Sequence, residues 1–395
     1  MSAATMSYGL RAREQMPFTW DYVTIGLVAA LLLMGLVMVT SASMSIAARD
    51  LGSPFFYLQR QFAYGCVGVV ATWAATRVPT AVWEKYSTPL LFLGLGLLLL
   101  VLIPGIGAVV NGARRWLRVG PVNFQVSELA RVLVLTWICA YCVRKRAALE
   151  KTWGGLLTPV APLGLASILL LIEPDFGATT VLFATGCAIL FIGGARLRHL
   201  LGLITGAACF LGLMIVIAPY RVKRLLAFLH PWDDRYVTGF QLTQSLIAIG
   251  RGSWFGVGLG SGVQKLFYLP EAHTDFVFAV LAEELGLLGV VTIIVLFVAL
   301  VWRSFRIARM AAAAGLHFQA YIALAFGIWI GVQAIVNIGV NMGLLPTKGL
   351  TLPLISYGRS SLLVTLAWIG VLLRIYHEVK CTSRSAVIRG SGGAG

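Results

Sequence analysis

Charge is scarce in this chain. Asp, Glu, Lys and Arg supply 12% of its 395 residues, about half the share of a soluble domain, which leaves too little polar surface to coat a water-facing globule. Acidic residues are scarcest, 15 against 31 Lys and Arg. Cysteine is sparse too: Cys66, Cys139, Cys142, Cys187 and Cys209 fall in apolar runs and Cys381 in a basic C-terminal stretch, so neither a disulfide framework nor a metal pattern emerges. The 43 glycines keep no triplet period, which excludes a collagen-like chain. Gly256, Gly258, Gly260 and Gly262 lack the strand-turn-helix setting of a nucleotide-binding loop, although such backbone can still donate N–H groups to an anion.

What is abundant is apolar side chain, 59% of the total, with a mean hydropathy of +0.87. Disorder is excluded, and a bilayer is the fitting solvent. Ten stretches approach the roughly 20 apolar residues a spanning helix needs: Tyr22 to Met44, Phe62 to Val78, Pro89 to Pro104, Val126 to Val143, Leu156 to Leu171, Ala178 to Phe191, Leu201 to Ala218, Phe276 to Val301, Tyr321 to Val340, and Leu362 to Leu373. The expected fold is an all-α polytopic membrane protein of about ten transmembrane helices. The first stretch is too long for a signal-peptide core and reads as an uncleaved span.

Short-loop Lys and Arg set the orientation. They follow the even-numbered spans, as in Arg144, Lys145, Arg146 and Lys151, or Arg303, Arg306 and Arg309. Both termini are therefore expected in the cytoplasm, with one large outward loop, residues 219–273, between helices 7 and 8. The domain layout expected is a cytoplasmic segment 1–21, a transmembrane domain 22–376 and a basic cytoplasmic tail 377–395. The formal charge of +16 is spread between apolar segments rather than gathered on one face, so it fits headgroups and an anionic substrate, and no nucleic acid is expected. Arg114, Arg115 and Arg118 are exceptions that fall in an outward loop, with six more cations between Pro219 and Glu271. Tyr220 to Leu229 has an amphipathic pattern.

Ionisable groups at or inside spans are costly and need a partner, a watery cavity or a task. Glu128 and Arg131, three apart on one helical face, fit either a structural ion pair or a substrate-facing pair. Arg114, Arg115 and Trp116 fit an interfacial anchor or a receiver for a phosphate-bearing headgroup, with Trp116 against a sugar. Glu173-Pro174-Asp175 reads as a solvated turn. Leu269 through Phe276 carries Glu271, His273 and Asp275 to the start of an apolar helix. There Asp275 fits a general base whose pKa burial has raised, or a carboxylate that complements the helix dipole. His273 fits proton transfer or hydrogen bonding. Glu283 and Glu284, about two turns deeper, fit pairing with neighbouring cations. Lys348 completes the set.

These residues resemble the SEDS family of polytopic cell-wall polymerases. The likeness rests on Met38 to Ser43, Gly112-Ala113-Arg114-Arg115-Trp116, Gln125-Val126-Ser127-Glu128, Glu173 to Gly177, His230-Pro231-Trp232, Gly239 to Ser245, Leu269 to Gly286 and Leu345 to Pro353. Ala282 to Gly286 and Pro346 to Gly349 are similar to the cell-division branch rather than the elongation branch. Three positions depart from the family pattern: Val126 stands where Pro is common, Arg131 where Lys is usual, and Arg359 interrupts the usual Tyr-Gly-Gly-Ser-Ser.

The resemblance implies a peptidoglycan glycosyltransferase of the bacterial inner membrane, at the division septum, which polymerises lipid II on the periplasmic side. It implies Asp275 as the catalytic base. It also implies substrate contacts by Arg114, Arg115, Trp116, Glu128, Arg131, Glu271, His273, Lys348, Ser356 and Tyr357. Undecaprenyl pyrophosphate would leave, met by cations and by a divalent cation, Mg or Mn, where one takes part; no other cofactor is implied. Implied partners are a class B penicillin-binding protein acting as septal transpeptidase and other membrane proteins of the divisome. Two alternatives from other classes are a lipid II flippase and a non-catalytic division scaffold.

Overall fold

The computed structural model describes residues 17–110, 113–119, 122–217, 228, 231–233, 239–346 and 349–391. Lys348, and all of Tyr220 to Leu229 except residue 228, lie outside them. The described helices are α1 (Tyr22–Leu51), α2 (Phe56–Arg77), α3 (Thr80–Lys85), α4 (Ser87–Leu102), α5 (Val126–Arg144), α6 (Arg146–Lys151), α7 (Trp153–Ile172), α8 (Phe176–Ile192), α9 (Leu197–Ile217), α10 (Phe240–Gly252), α11 (Val277–Ala313), α12 (His317–Asn341) and α13 (Arg359–Ser391). Each of the ten apolar stretches overlaps one of these helices. Six of them, α1, α5, α7, α11, α12 and α13, are long and apolar enough to cross a membrane. The chain is a multi-pass membrane protein.

The all-α expectation needs correction. Between α4 and α5 lies an antiparallel sheet of β1 (Gly107–Val110), β2 (Ala113–Val119) and β3 (Val122–Gln125), in that order. Trp116 pairs with Ala108 on one side and Gln125 on the other. Strands of four to seven residues carry too few alternations to stand out beside long apolar runs, so the segment looked like a loop. Residues on both sides of 376 belong to α13, and Val379 and Cys381 are buried.

α5 is the central helix. Nearly nine-tenths of its apolar window is buried inside the protein, against less than a third for α11, which turns most of its surface outward to lipid. α10 folds back along α11: Leu242 and Leu246 lie beside Gly343, while Gly252 closes on Ala282. α11 breaks at Gly286, whose φ of 63° and ψ of −161° belong to a region that a β-carbon forbids. A helix break in apolar surroundings exposes peptide groups that must find new partners. The Gly-rich segment supplies them. Val257 and Gly258 N–H donate to the carbonyls of Glu283 and Glu284 at 3.0 and 3.1 Å, while Leu287 and Leu288 N–H donate to Ser253 and Trp254 carbonyls at 3.0 and 3.3 Å.

The same segment meets two buried acids, with N–H donors and with Lys265, which lies on no helix, rather than with cations on neighbouring spans. Glu283 accepts from Val263 and Gln264 N–H at 3.0 and 3.2 Å. Glu284 accepts from Lys265 Nζ at 2.5 Å, Gly260 N–H at 3.0 Å and Ser41 Oγ at 2.7 Å. The anion met by the Gly260 N–H is thus the protein's own. At the far end of the bundle Arg303 grips Asp21 at 2.6 and 2.9 Å, and Glu378 accepts from Thr80 N–H and Arg374 Nε at 3.0 and 2.8 Å.

Removing one member of a buried pair strands the other charge. Lys265→Met is expected to destabilise the protein by roughly 3–5 kcal/mol, and the double variant with Glu284→Gln to recover much of the loss. Thermal unfolding in detergent checks this; simple additivity of the two changes would refute the coupling.

Candidate active site

Asp275 stands one residue before Phe276, the N-cap of α11. Its backbone is stitched in place from α12, where three amides recur at four-residue spacing and so share a face. Asn337 Nδ2 donates to the Asp275 carbonyl at 3.0 Å and to the Leu350 carbonyl at 2.5 Å. Asn341 Nδ2 donates to the Asp275 carbonyl at 3.1 Å and Gln333 Nε2 to the Thr351 carbonyl at 3.0 Å. The ladder brings the Asp275 turn against the segment that follows Lys348. Gly349 keeps the approach open, since a β-carbon there would lie 3.0 Å from Asp275 Oδ2.

The Asp275 side chain is partly exposed, and among the described residues no hydrogen bond or ion pair engages its carboxylate. Burial pushes its pKa up to about 7, the Glu271 and Asp175 carboxylates add to the rise, and Arg115 opposes it. An unpaired carboxylate that titrates near neutrality can accept a proton and release it again.

Arg115 on β2 donates from Nε to the Glu173 carbonyl at 2.8 Å and from Nη2 to the Pro174 carbonyl at 2.6 Å. Carbonyls fix the guanidinium without cancelling its charge, so its field reaches both Asp275 and Glu173. The solvated-turn reading of Glu173-Pro174-Asp175 is corrected: Glu173 is fully buried and Asp175 nearly so. Asp175 caps α8, accepting from Ala178 N–H at 3.0 Å, and takes Gln125 Nε2 at 3.2 Å and Ser127 Oγ at 3.3 Å. Neither Glu173 carboxyl oxygen has a hydrogen-bond partner among the described residues. Burial, then Asp175, pushes Glu173 up to about 8, against the pull of Arg115.

The remaining predicted residues divide. Glu128 and Arg131 form an ion pair inside the bundle, Arg131 with no exposed surface and 5.8 Å from the Trp329 ring centre. Arg114 donates to the Leu102 carbonyl at 3.3 Å and Trp116 is half-buried in the sheet. Glu271 is exposed, its carboxylate accepting from Thr274 Oγ1 at 2.6 Å. Ser356 is buried, and its hydroxyl accepts from Leu352 N–H at 2.8 Å while its carbonyl accepts from Gln61 Nε2 at 3.3 Å. His273 and Tyr357 meet at the site, where Tyr357 N–H donates to the His273 carbonyl at 3.0 Å. Burial lowers the His273 pKa, with Glu271 opposing. Sequence reasoning passed over Tyr57, whose ring lies 4.4 Å from His273 and 5.0 Å from Tyr357, and the amide ladder of α12. The ladder had a readable signal, because Gln333, Asn337 and Asn341 are three costly polar groups in an apolar helix.

Among the described residues no group of three or more His, Cys, Asp or Glu side chains is arranged to hold a metal ion.

Comparison with known proteins accords with this architecture. The family model described as cell cycle protein, covering FtsW, RodA and SpoVE, matches residues 22–381. The chain is 52% identical over 368 residues to the probable peptidoglycan glycosyltransferase FtsW of Thioalkalivibrio sulfidiphilus, covering 93% of this chain and 92% of that protein. It is 50% identical over 359 residues to the protein of the same name from Legionella pneumophila, covering 91% of each. Among solved structures, a chain of a peptidoglycan synthase complex that coordinates polymerization and crosslinking superposes with a TM-score of 0.75 at 30% identity, over 92% of this chain and 99% of that one. The rod shape determining protein RodA of Thermus thermophilus superposes with a TM-score of 0.67 at 29% identity, over 91% of this chain and 97% of that one. With a match that runs from the first residue of α1 into the last turns of α13, this chain belongs to the FtsW, RodA and SpoVE family of cell cycle proteins.

Proposed function

We propose that this chain is a peptidoglycan glycosyltransferase of the bacterial inner membrane that polymerises lipid II into glycan strands during septal cell-wall synthesis. The observation that carries the reading is the Asp275 carboxylate, unpaired among the described residues and pushed up to about 7, in a chain whose half-identical relatives bear that activity in their names. Ten segments cross the membrane with both termini in the cytoplasm. The end of the bundle built around Asp275 faces the periplasm, and the end built around Asp21, Arg303 and Glu378 faces the cytoplasm, where the Lys- and Arg-rich loops gather.

In the reaction, Asp275 accepts the proton of an acceptor sugar 4-hydroxyl as that oxygen forms a bond to the donor anomeric carbon. The bond from that carbon to undecaprenyl pyrophosphate breaks, the pyrophosphate keeps the electron pair, and the anomeric centre inverts. Negative charge grows on the leaving group in the transition state, so a fixed cation aimed there lowers the barrier. Arg115 suits this role because carbonyls already orient it and no reorganisation is needed at the moment of reaction. Lys348, next to Gly349, is the second cation assigned to it. Arg131, buried against Glu128, is left to the architecture. The resemblance to a synthase complex supports a class B penicillin-binding protein as the crosslinking partner.

Asp275→Asn is expected to abolish polymer formation from purified protein and lipid II, by at least a hundredfold, while the melting profile shows retained folding. Persistence of polymer would sink the assignment.

The rate is expected to rise with pH and reach half its maximum near 7, because the base works only when ionised. Stability moves the other way. Between the ordinary carboxyl value of 3.8 and about 7 the folded state holds a proton that the unfolded state has released, so stability falls as pH climbs through this window. Asp275→Asn should make that slope shallower, leaving the part that Glu173, raised to about 8, contributes, and should melt higher than wild type at pH 8. A wild-type melting temperature flat across the window would contradict the buried-base reading.

A further inference from the structure

Two loops at the end of the bundle away from Asp275 are bound to each other. α5 and α8 both start beside the candidate active site, where Gln125 meets Asp175 at 3.2 Å, and both finish at this corner, where Cys142 lies against Gly193. The 19 residues of α5 separate the two places by about 28 Å at the helical rise. One loop runs through Glu150, Lys151 and Thr152 into α7, the other through Arg196 into α9. Arg196 Nε donates to the Glu150 carbonyl at 2.8 Å, and the Trp153 ring stacks on His199 with centres 3.7 Å apart. Lys151 and Arg198 fall between these two contacts along their loops, so three cations share one narrow surface.

Their charge is left uncancelled. Lys151, Arg196 and Arg198 are exposed, and none of them forms an ion pair among the described residues. Glu150, the acid of this corner, faces Arg146 at 2.9 Å. At the same end of the bundle Arg303 and Arg374 are met by Asp21 and Glu378, so the cations of this corner differ in having no carboxylate of their own. α7 and α9 both begin here, and their positive ends add to the field. His199 marks where an anion is wanted. It is 3% exposed, and its Nδ1 has no hydrogen-bond partner among the described residues. A buried polar nitrogen without a partner costs stability, and a phosphate oxygen held by the three cations would supply one.

The surroundings decide what carries that phosphate. Trp153, Leu157, Phe191 and Leu201 are exposed beside the cations, and α7 is long and apolar enough to cross a membrane. The apolar surface therefore continues into hydrocarbon while the cations stand at its rim, with an indole at headgroup depth. A soluble phosphate would use the cations alone. An anionic phospholipid uses both the charge and the apolar face below it.

We propose that Lys151, Arg196 and Arg198, with the imidazole of His199, bind the phosphodiester headgroup of an anionic glycerophospholipid, whose acyl chains lie on the apolar face beneath Trp153. The site is remote from Asp275 and stands or falls apart from the polymerase reading.

The test measures binding of dioctanoyl phosphatidylglycerol and dioctanoyl phosphatidylcholine to the full chain in detergent by native mass spectrometry. Wild type is expected to hold phosphatidylglycerol about tenfold more tightly. Lys151→Gln combined with Arg198→Gln should abolish that preference, a loss of about tenfold in Kd for phosphatidylglycerol alone. Both side chains are exposed, so the melting profile should match wild type; Lys151→Gln alone carries the same test at about threefold. Arg306→Gln combined with Arg309→Gln removes two other exposed cations at this end and should leave both affinities unchanged. His199→Phe keeps a ring for Trp153 to stack on and removes the nitrogens, and should weaken phosphatidylglycerol about fivefold. Glycerophosphoglycerol, the same headgroup without chains, should compete only at a hundredfold or greater excess.

Equal affinity of wild type for the two lipids, undiminished phosphatidylglycerol binding in the Lys151 and Arg198 variants or in a folded His199→Phe, or an equal loss in the Arg306 and Arg309 variant would overturn the site. Displacement of the lipid by equimolar glycerophosphoglycerol would overturn its assignment to a phospholipid.

Discussion

The arrangement depends on one unfavourable placement: a carboxylate, partly buried, with no partner among the described residues. Such a group raises the energy of its ionised form, so the surrounding structure must hold it where it would not settle by itself. The amides of Asn337 and Asn341 do so through the main chain, gripping the Asp275 carbonyl and leaving the carboxylate untouched. A side-chain hydrogen bond would have fixed the group equally well and removed its basicity. Gly349 then clears the space in front of Oδ2. Restraint applied to backbone and withheld from the carboxylate is what keeps this aspartate ordered while its side chain stays unpaired among the described residues.

Arg115 follows the same logic with the opposite sign. Pairing with Glu173 or Asp175 carboxylates would have stabilised it and cancelled its field. It binds two backbone carbonyls instead, so its charge remains available to an anion. The nearby acids are each disposed of separately. Asp175 is saturated by a helix N-terminus and two side chains. Glu173, raised to about 8, is mostly protonated at neutral pH. At Asp275 the Glu271 and Asp175 carboxylates still outweigh Arg115, and the guanidinium held on carbonyls is the positive charge left free for an anion.

Much of this was legible in sequence, because helical periodicity and cost in lipid both write themselves along the chain. The ten apolar stretches each fall on a helix, and Asp275, His273 and Tyr357 converge. What escaped was non-local or short. The sheet of residues 107–125 is built from strands too brief to show a period. The burial of Glu173 and Asp175 depends on β2, nearly 60 residues upstream in the chain, and a turn-forming proline between two acids looks solvated from local composition alone. Tyr57 sits in an amphiphilic helix start and gains meaning only when His273 and Tyr357 fold onto it. Lys348, a cation the sequence singled out, lies outside the described residues.

The break at Gly286 connects these observations to the membrane. A continuous α11 would satisfy its own peptide groups and leave residues 253–262 with unpaired N–H and C=O groups of their own. The break is met by four hydrogen bonds to that segment, which also carries N–H donors and Lys265 to the Glu283 and Glu284 carboxylates. The helix that begins just after Asp275 is therefore clamped within its first three turns, by Ser41 of α1 as well as by the folded-back segment. A clamp so close to the start of the helix limits how far Asp275 can drift. The charges buried two turns below the carboxylate thus support it without touching it: they make rigid the element on which an energetically disfavoured aspartate has to stand.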